Sequence, residues 1–277
     1  MDYGRRIEFG IFLLPQAARL DQLLETAALA DELGFDLIGI QDHPYQRIFG
    51  DTWTLLTAIA MHTKRISVFP DVINLPLRPP AILAKAAATL DLLSGGRLEL
   101  GLGAGGAWEA IKTIGGPVRT PGESVSALEE AIQVIQLMWT VQPRARFDGR
   151  FYQLDGVNTG PAPAHPIGIW LGAYKPRMLN LIGRLADGWV PSLGRVQPAD
   201  IAEGNLRIDD AAQAAGRDPR SIRRILNTGD QPAELMVSLA AEYGIDTFIV
   251  NGEDPAAMRR FASEVAPKVR EALGPRG

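Results

Sequence analysis

One segment organises this sequence: Arg97-Leu98-Glu99-Leu100-Gly101-Leu102-Gly103-Ala104-Gly105-Gly106-Ala107-Trp108-Glu109. An apolar strand runs here into a glycine-rich turn, where backbone without Cβ atoms can approach a neighbour or a ligand closely. The glycines match the dinucleotide-binding pattern G-x-G-x-x-G, which requires a helix directly after the loop and an acidic residue at the end of the next strand, about 20 positions on. Here the residue at that distance is Glu123, which begins a predicted helix with no strand before it. The dinucleotide-binding interpretation is therefore rejected.

The rest of the chain alternates β-rich runs with helical patterns. Eight strands are predicted, at residues 7–13, 35–40, 65–73, 97–102, 167–172, 186–190, 222–227 and 246–250. Helices are predicted at residues 20–33, 51–63, 81–93, 123–139, 175–184, 198–215, 233–243 and 255–273, and a hairpin at 145–154. Strict alternation indicates parallel strands, and a count of eight favours a closed barrel over a doubly wound sheet. We predict an α/β fold with a single (β/α)8 TIM-barrel domain over residues 1–277.

Composition narrows the function. The 277 residues are 46% hydrophobic, carry a net charge of -4 and contain no cysteine. The charge favours neither nucleic acid nor an anionic membrane as a partner, and no apolar run approaches the ~20 residues of a membrane span. The absence of cysteine excludes disulfides, thiolate metal sites and a cysteine nucleophile. We expect a cytoplasmic enzyme.

In a barrel of this kind the chemistry lies on the loops that leave the carboxyl ends of the strands. Four predicted strand ends carry unusual residues: Asp42-His43-Pro44-Tyr45, Pro70-Asp71-Val72, the glycine loop with Trp108 and Glu109, and Gly172-Ala173-Tyr174-Lys175-Pro176. The last is predicted to bind a phosphate, because it opens a helix with small residues and supplies a lysine.

Among the three histidines only His43 follows a strand end. It is the candidate for handling a proton or for a hydrogen bond to a cofactor. His62 is predicted to be a surface or C-cap residue of its helix, and His165 is predicted to be structural. No metal-ligand spacing occurs at a strand end and no G-x-S-x-G elbow is present, so neither a metal site nor a serine hydrolase is expected.

Several segments together resemble the bacterial luciferase-like superfamily of flavin- and coenzyme F420-dependent barrel oxidoreductases. The most specific are L-D-L-L-S-G-G-R-L-E-L-G-L-G-A-G (90–105) and R-L-A-D-G-W (184–189), supported by Q-D-H-P (41–44), P-I-G-I-W-L-G-A (166–173) and G-I-D-T-F-I-V (244–250). Members of this family are (β/α)8 barrels, which agrees with the fold predicted from the alternation.

The resemblance implies a cofactor over the barrel mouth, either FMN or F420. Its ring would lie near Asp71 and Val72, where the family often has a non-prolyl cis peptide. Backbone amides matching Gly172, Ala173 and Tyr174 would hold the phosphate tail, next to Lys175. The strand-end loop Gly103-Ala104-Gly105 would pack along the cofactor, and Asp42 and His43 would face the reactive ring as the catalytic pair.

One position departs from the F420-dependent sugar-phosphate dehydrogenase branch, in which an acidic residue follows G-x-G. Ala104 stands there, so neither the proton donor nor the substrate of that branch is transferred. Glu109 lies further along the loop and either faces the pocket or caps a helix. Tyr45, Trp108 and Glu109 are the predicted substrate contacts.

We therefore predict an oxidoreductase acting on a small organic substrate. With FMN the chemistry would be oxygenation through a flavin hydroperoxide, and with F420 it would be deazaflavin hydride transfer. A separate flavin or F420 reductase and a homodimer are the expected partners. One alternative is a non-catalytic flavin- or F420-binding barrel. Another is a lyase or aldolase that binds a phosphorylated substrate at Gly172 to Lys175, although no further lysine at a strand end is evident to form a Schiff base.

Overall fold

The computed structural model describes residues 1–275 as parallel strands wrapped into a barrel. The strands are β1 Glu8–Leu13, β2 Leu37–Ile40, β3 Ser67–Pro70, β4 Ile73–Asn74, β5 Leu100–Gly103, β6 Ala145–Asp148, β7 Gln153–Val157, β8 Ile169–Leu171, β9 Gly188–Trp189, β10 Arg223–Asn227 and β11 Thr247–Asn251. Nine of them form one sheet in the order β3-β2-β1-β11-β10-β9-β8-β5-β4. A parallel bridge between Val68 and Leu98 joins β3 to the chain that enters β5 and closes the ring.

Nine strands occupy eight barrel positions because β3 and β4 share one. The sequence predicts a single strand over residues 65–73, whereas the structure interrupts it after Pro70 with a cis peptide bond between Asp71 and Val72. Proline cannot donate to a strand ladder, and β4 pairs with β5 instead of continuing along β2. The predicted barrel is otherwise confirmed.

The helices surround this barrel. They are α1 Leu20–Leu33, α2 Thr52–His62, α3 Pro80–Ser94, α4 Trp108–Thr113, α5 Pro121–Trp139, α6 Pro176–Leu185, α7 Pro198–Ala214, α8 Ala233–Tyr243, α9 Pro255–Arg260 and α10 Ala266–Leu273. A π-helical segment, Phe261–Val265, joins the last two. The short helix α4 was not predicted. The antiparallel pair β6 and β7 confirms the predicted hairpin, and Glu130 of α5 fixes its turn by accepting hydrogen bonds from three backbone amides of residues 150–152.

Two apolar layers give the fold its core. Residues that alternate along the strands either pack against the helices or point into the barrel. The inward set includes Phe69 and Trp170, whose ring centroids lie 5.1 Å apart, together with Leu37, Val190, Ile225 and Ile249. The barrel is therefore filled with side chains below its mouth, and the space open to a ligand lies at the carboxyl ends of the strands.

Charged groups at the amino ends of the strands are paired with one another. Arg224 is 0% exposed and donates to the Asn205 Oδ1 at 2.7 Å, to the Asp209 Oδ1 at 2.6 Å and to the Ile222 carbonyl at 2.8 Å. Its guanidinium also lies 4.4 Å from the ring centre of Tyr3. We call this end, at the amino ends of the strands, the base of the barrel, and its buried polar groups are hydrogen-bonded.

Two features are absent from residues 1–275. No helix there combines the length and apolar character needed to span a bilayer. No group of three or more histidine, aspartate or glutamate side chains is placed to hold a metal ion.

Candidate active site

A cavity of about 610 Å³ opens at the carboxyl ends of the strands. This volume lies within the range of cofactor and substrate pockets. It is lined by Phe12, Gln41, His43, Asp71, Val72, Gly172, Tyr174, Val190, Ser192, Leu193, Arg195, Asn227, Thr228, Gly229, Ile249 and Asn251. A groove of similar size between α6 and α7 contains no residue from a strand end. The strand-end cavity is the candidate site.

The cis peptide between Asp71 and Val72 lies in the wall of this cavity, at the place that the family resemblance implies. Three glycines on the neighbouring strands make room for it. A Cβ on Gly101 would lie 2.1 Å from the Pro70 carbonyl oxygen, and one on Gly103 would lie 2.9 Å from a methyl group of Val72. Gly172 faces the same valine at 3.3 Å. Gly101 and Gly103 of the glycine-rich segment therefore leave room for the interruption between β3 and β4.

The Asp71 side chain has few partners. Its Oδ1 accepts a hydrogen bond from the Asn227 Nδ2 at 3.3 Å, across the barrel mouth. Its Oδ2 is buried without a hydrogen-bond partner, as is the Oδ1 of Asn227. Burial raises the pKa of the Asp71 carboxyl to about 7, and the bond from Asn227 offsets only part of this effect. Both orphaned oxygens belong to residues that line the cavity.

His43 lines the same cavity, and its Nδ1 lies 2.7 Å from the hydroxyl of Tyr45. Burial lowers the pKa of the His43 imidazole, and the nearby Asp42 carboxylate opposes this only in part. Because the unperturbed value is about 6.5, the ring is neutral at pH 7. Its Nε2 has no hydrogen-bond partner within residues 1–275. Tyr45 thus touches His43 without lining the cavity.

Asp42 has a different environment from its neighbour. The side chain is 1% exposed and accepts hydrogen bonds from the Arg78 Nε and Nη2, both at 2.8 Å, and from the Asn74 amide at 3.0 Å. Arg78 also pairs with Asp51, the N-cap residue of α2, at 2.6 Å. The structure places Asp42 behind the cavity wall, where it ties together the loops that follow β2 and β4, and does not bring it to the cavity with His43.

The predicted phosphate segment lies directly before α6, with Gly172 and Tyr174 in the cavity wall. The Gly172 amide donates to the Leu102 carbonyl at 3.2 Å, so the strand ladder already uses it. Within the described residues, the amides of Ala173 and Tyr174 donate to no protein acceptor, and Lys175 is exposed at the helix N-cap. The backbone amides of Ala173 and Tyr174 and the side chain of Lys175 therefore remain available to bind an anion.

The residues predicted on the loop after β5 lie outside the cavity. Gly103 ends β5, and Gly105 has a φ of 96° and packs against Trp108. Glu109 is exposed in the first turn of α4, which supports its helix-terminus interpretation. None of these residues, nor Ala104, lines the cavity.

Sequence reasoning missed several polar residues of the site. Asn227 and Asn251 are the last residues of β10 and β11, Thr228 follows β10, and Arg195 lies on the loop after β9. Their positions carry a signal, since each lies at or shortly after the end of a predicted strand. Single asparagines and a lone loop arginine match no motif, so the sequence alone does not distinguish them.

A closed barrel of eight parallel strand positions with a polar cavity at their carboxyl ends defines a TIM-barrel enzyme. The family model of luciferase-like monooxygenases matches residues 7–229. The chain belongs to this family.

Relatives in sequence and solved structures agree with this family assignment. The 5,10-methylenetetrahydromethanopterin reductase of Archaeoglobus fulgidus is 28% identical over 277 residues, covering 96% of this chain and 78% of that protein. The F420-dependent hydroxymycolic acid dehydrogenase of Mycobacterium tuberculosis is 32% identical over 262 residues, covering 90% of this chain and 64% of that protein. An F420-dependent secondary alcohol dehydrogenase in complex with an F420-acetone adduct superposes with a TM-score of 0.84 at 20% identity, covering 96% of this chain and 100% of that one.

These findings confirm the predicted family and barrel. They also confirm, at the level of the family, a flavin- or F420-dependent oxidoreductase. The division into one domain and the roles of the individual site residues stay predictions.

Proposed function

We propose that this chain uses F420 and transfers a hydride between the cofactor and a small organic substrate. The observation that carries the proposal is the cavity itself, which combines a neutral histidine with buried polar atoms that have no partner in the protein. A relative at 32% identity is an F420-dependent dehydrogenase, and this similarity favours F420 over FMN.

The residues present fit such a cofactor. Buried polar atoms are normally hydrogen-bonded, and the orphaned oxygens of Asp71 and Asn227 would be satisfied by a polar ring system in the cavity. The amides of Ala173 and Tyr174, at the positive end of the α6 dipole and beside Lys175, would hold a phosphate. When bound, F420 supplies a ring carbon that gives or takes a hydride.

The protein residues orient the reactants and manage the proton. Hydride transfer to a carbonyl carbon leaves charge on the oxygen, which must receive a proton; the reverse reaction must remove one. His43 can do either at its unpartnered Nε2, because Tyr45 holds the ring through Nδ1. The ion pair of Asp42 with Arg78 keeps the loop bearing His43 in place.

A monooxygenase using FMN is the second candidate, and the family's description favours it. Its partner would be a reductase that supplies reduced flavin, and an F420 enzyme would need an F420 reductase. A homodimer also remains part of the proposal.

The two chemistries are separated by their need for oxygen. Purified protein is incubated without oxygen with reduced F420 and a panel of small ketones, aldehydes and enones, and the return of oxidised F420 is followed by absorbance. We expect substrate-dependent oxidation that requires the protein. Turnover that occurs only with reduced FMN and oxygen would replace the proposal with the monooxygenase.

A further inference from the structure

The wall of the cavity contains a carboxyl group that has no ion-pair partner in the described chain. Asp71 lies at the end of β3 and Asn227 at the end of β10, on opposite sides of the barrel, and a single hydrogen bond of 3.3 Å joins them. No basic side chain among residues 1–275 forms an ion pair with Asp71. An isolated buried carboxylate is costly, and such a group lowers its cost by taking up a proton.

Protonation gives this pair a defined polarity. The Asp71 Oδ1 accepts from Asn227, so the proton belongs on the orphaned Oδ2, which then becomes a donor. The orphaned Oδ1 of Asn227 can only accept. Both residues line the cavity, and together they have one unused donor and one unused acceptor.

We propose that Asp71, held as the uncharged acid, and Asn227 form a matched donor and acceptor pair that binds a ligand edge carrying a carbonyl oxygen beside an N–H group. The inference rests on the proposed function, because the pyrimidinedione edge of F420 has this chemistry. Ionised Asp71 would present only acceptors and would repel the ligand carbonyl. Binding therefore weakens when Asp71 loses its proton.

Other groups at the cavity could also respond to pH. The titratable or charged side chains that line it with Asp71 are His43, Tyr174 and Arg195. Burial lowers the pKa of the His43 imidazole below its usual 6.5, so as the pH rises this ring loses its proton before Asp71 does. Because Asp71→Asn keeps His43, Tyr174 and Arg195, a difference between its pH profile and that of the natural protein is attributable to Asp71.

The test measures the F420 dissociation constant by fluorescence from pH 6 to pH 9 for the natural protein and for Asp71→Asn. Asparagine retains a donor and an acceptor but cannot ionise. In the natural protein the constant should rise toward about tenfold per pH unit above pH 7, since only the protonated fraction binds. In Asp71→Asn only the ionisation of F420 itself should remain, and that contribution is common to both proteins.

Asp230→Asn is the matched control, because it makes the same change at an exposed residue near the cavity. It should follow the natural protein. Identical pH profiles for the natural protein and Asp71→Asn would overturn this inference while leaving the proposed function intact. Absence of F420 binding at every pH would overturn both.

A second measurement needs no ligand. The side-chain carboxyl carbon of Asp71, assigned by its loss in Asp71→Asn, can be followed by carbon-13 NMR during a pH titration. We expect it to titrate near pH 7 in the free protein and to remain protonated at pH 8 with F420 bound. A carboxyl that is ionised at pH 5 in the free protein contradicts the inference.

Discussion

Buried or partly buried aspartate and asparagine side chains occur at both ends of the barrel, but they are hydrogen-bonded at the amino ends of the strands and keep atoms without partners at the carboxyl ends. At the amino ends of the strands, Arg224 reaches both an asparagine and an aspartate at 2.6–2.7 Å. At the carboxyl ends, Asp71, Asn74 and Asn227 account for three of the four buried side-chain atoms that lack a partner in the described chain. The fourth, the Nε of Arg207, belongs to α7.

The contrast between the two ends indicates that the base of the barrel stabilises the fold and that the mouth binds a ligand. A paired buried polar group costs little, whereas an orphaned one costs roughly 1–3 kcal/mol. A fold retains such a cost where a ligand later supplies the missing partner. The base of the barrel should therefore respond to mutation through folding, and the mouth through binding and catalysis.

The largest effect is expected at the base, for Arg224→Ala. The change leaves Asp209 and Asn205 without their buried partner, and breaking such a pair costs about 3–5 kcal/mol. Urea unfolding measures the loss. Arg207→Ala, which removes an exposed pair with Glu203, is the control and should cost under about 0.5 kcal/mol. Equal effects of the two variants would remove the distinction between base and surface.

At the mouth, His43→Ala should lower turnover by ~10²-fold or more, because the proton would lose its carrier. The free energy of unfolding should change little, since His43 bonds only Tyr45. Steady-state kinetics and urea unfolding measure the two quantities. His62→Ala, at the exposed end of α2, should leave both unchanged. Unchanged turnover in His43→Ala would remove this residue from the mechanism.

Asp71, which has no ion-pair partner in the described chain, should also make the free protein's stability depend on pH. Its pKa is about 7 when folded, above the 3.8 of an unperturbed aspartate, so the folded state binds the extra proton between these values. Its contribution to stability is therefore complete below pH 4 and is lost as the pH rises to 7, at roughly 1.4 kcal/mol per pH unit. Asp71→Asn should remove this slope in urea unfolding between pH 5 and pH 7. A slope shared by both proteins would assign it to other groups.

The smallest effect is expected for Lys175→Ala. An exposed cation beside an anion contributes about 1 kcal/mol at most and is screened by salt. The F420 dissociation constant should rise severalfold at low salt and converge with that of the natural protein at high salt. Lys112→Ala, on the exposed side of α4, should have no effect. An unaltered constant in Lys175→Ala would exclude this residue from phosphate binding.

The sequence predicted the barrel well because its evidence is local. Apolar runs alternate with helical periodicity, and glycines end α1, α3 and α8 in the left-handed conformation. The interrupted third strand was missed, since the split depends on how β4 pairs with β5. The helix α4 was missed because it is only six residues long.

The sequence placed the candidate site on loops at the carboxyl ends of the strands, and the roles of its residues stay predictions. Of the predicted residues, His43, Asp71 and Gly172 line one cavity. The pairing of Asp42 with Arg78, 36 positions away, could not be read from sequence, because only the folded barrel brings them together. The same holds for Asp71 and Asn227, which are separated by 156 positions.

One titration tests the central claim, which is that the buried polar atoms without partners at the barrel mouth form hydrogen bonds to a deazaflavin cofactor. Purified protein is titrated with F420 and, separately, with FMN at pH 6.5, and fluorescence gives each dissociation constant. The account predicts saturable binding of F420 at one site per chain, weakened in Asp71→Ala, and weaker binding of FMN. Failure of both cofactors to bind would contradict it.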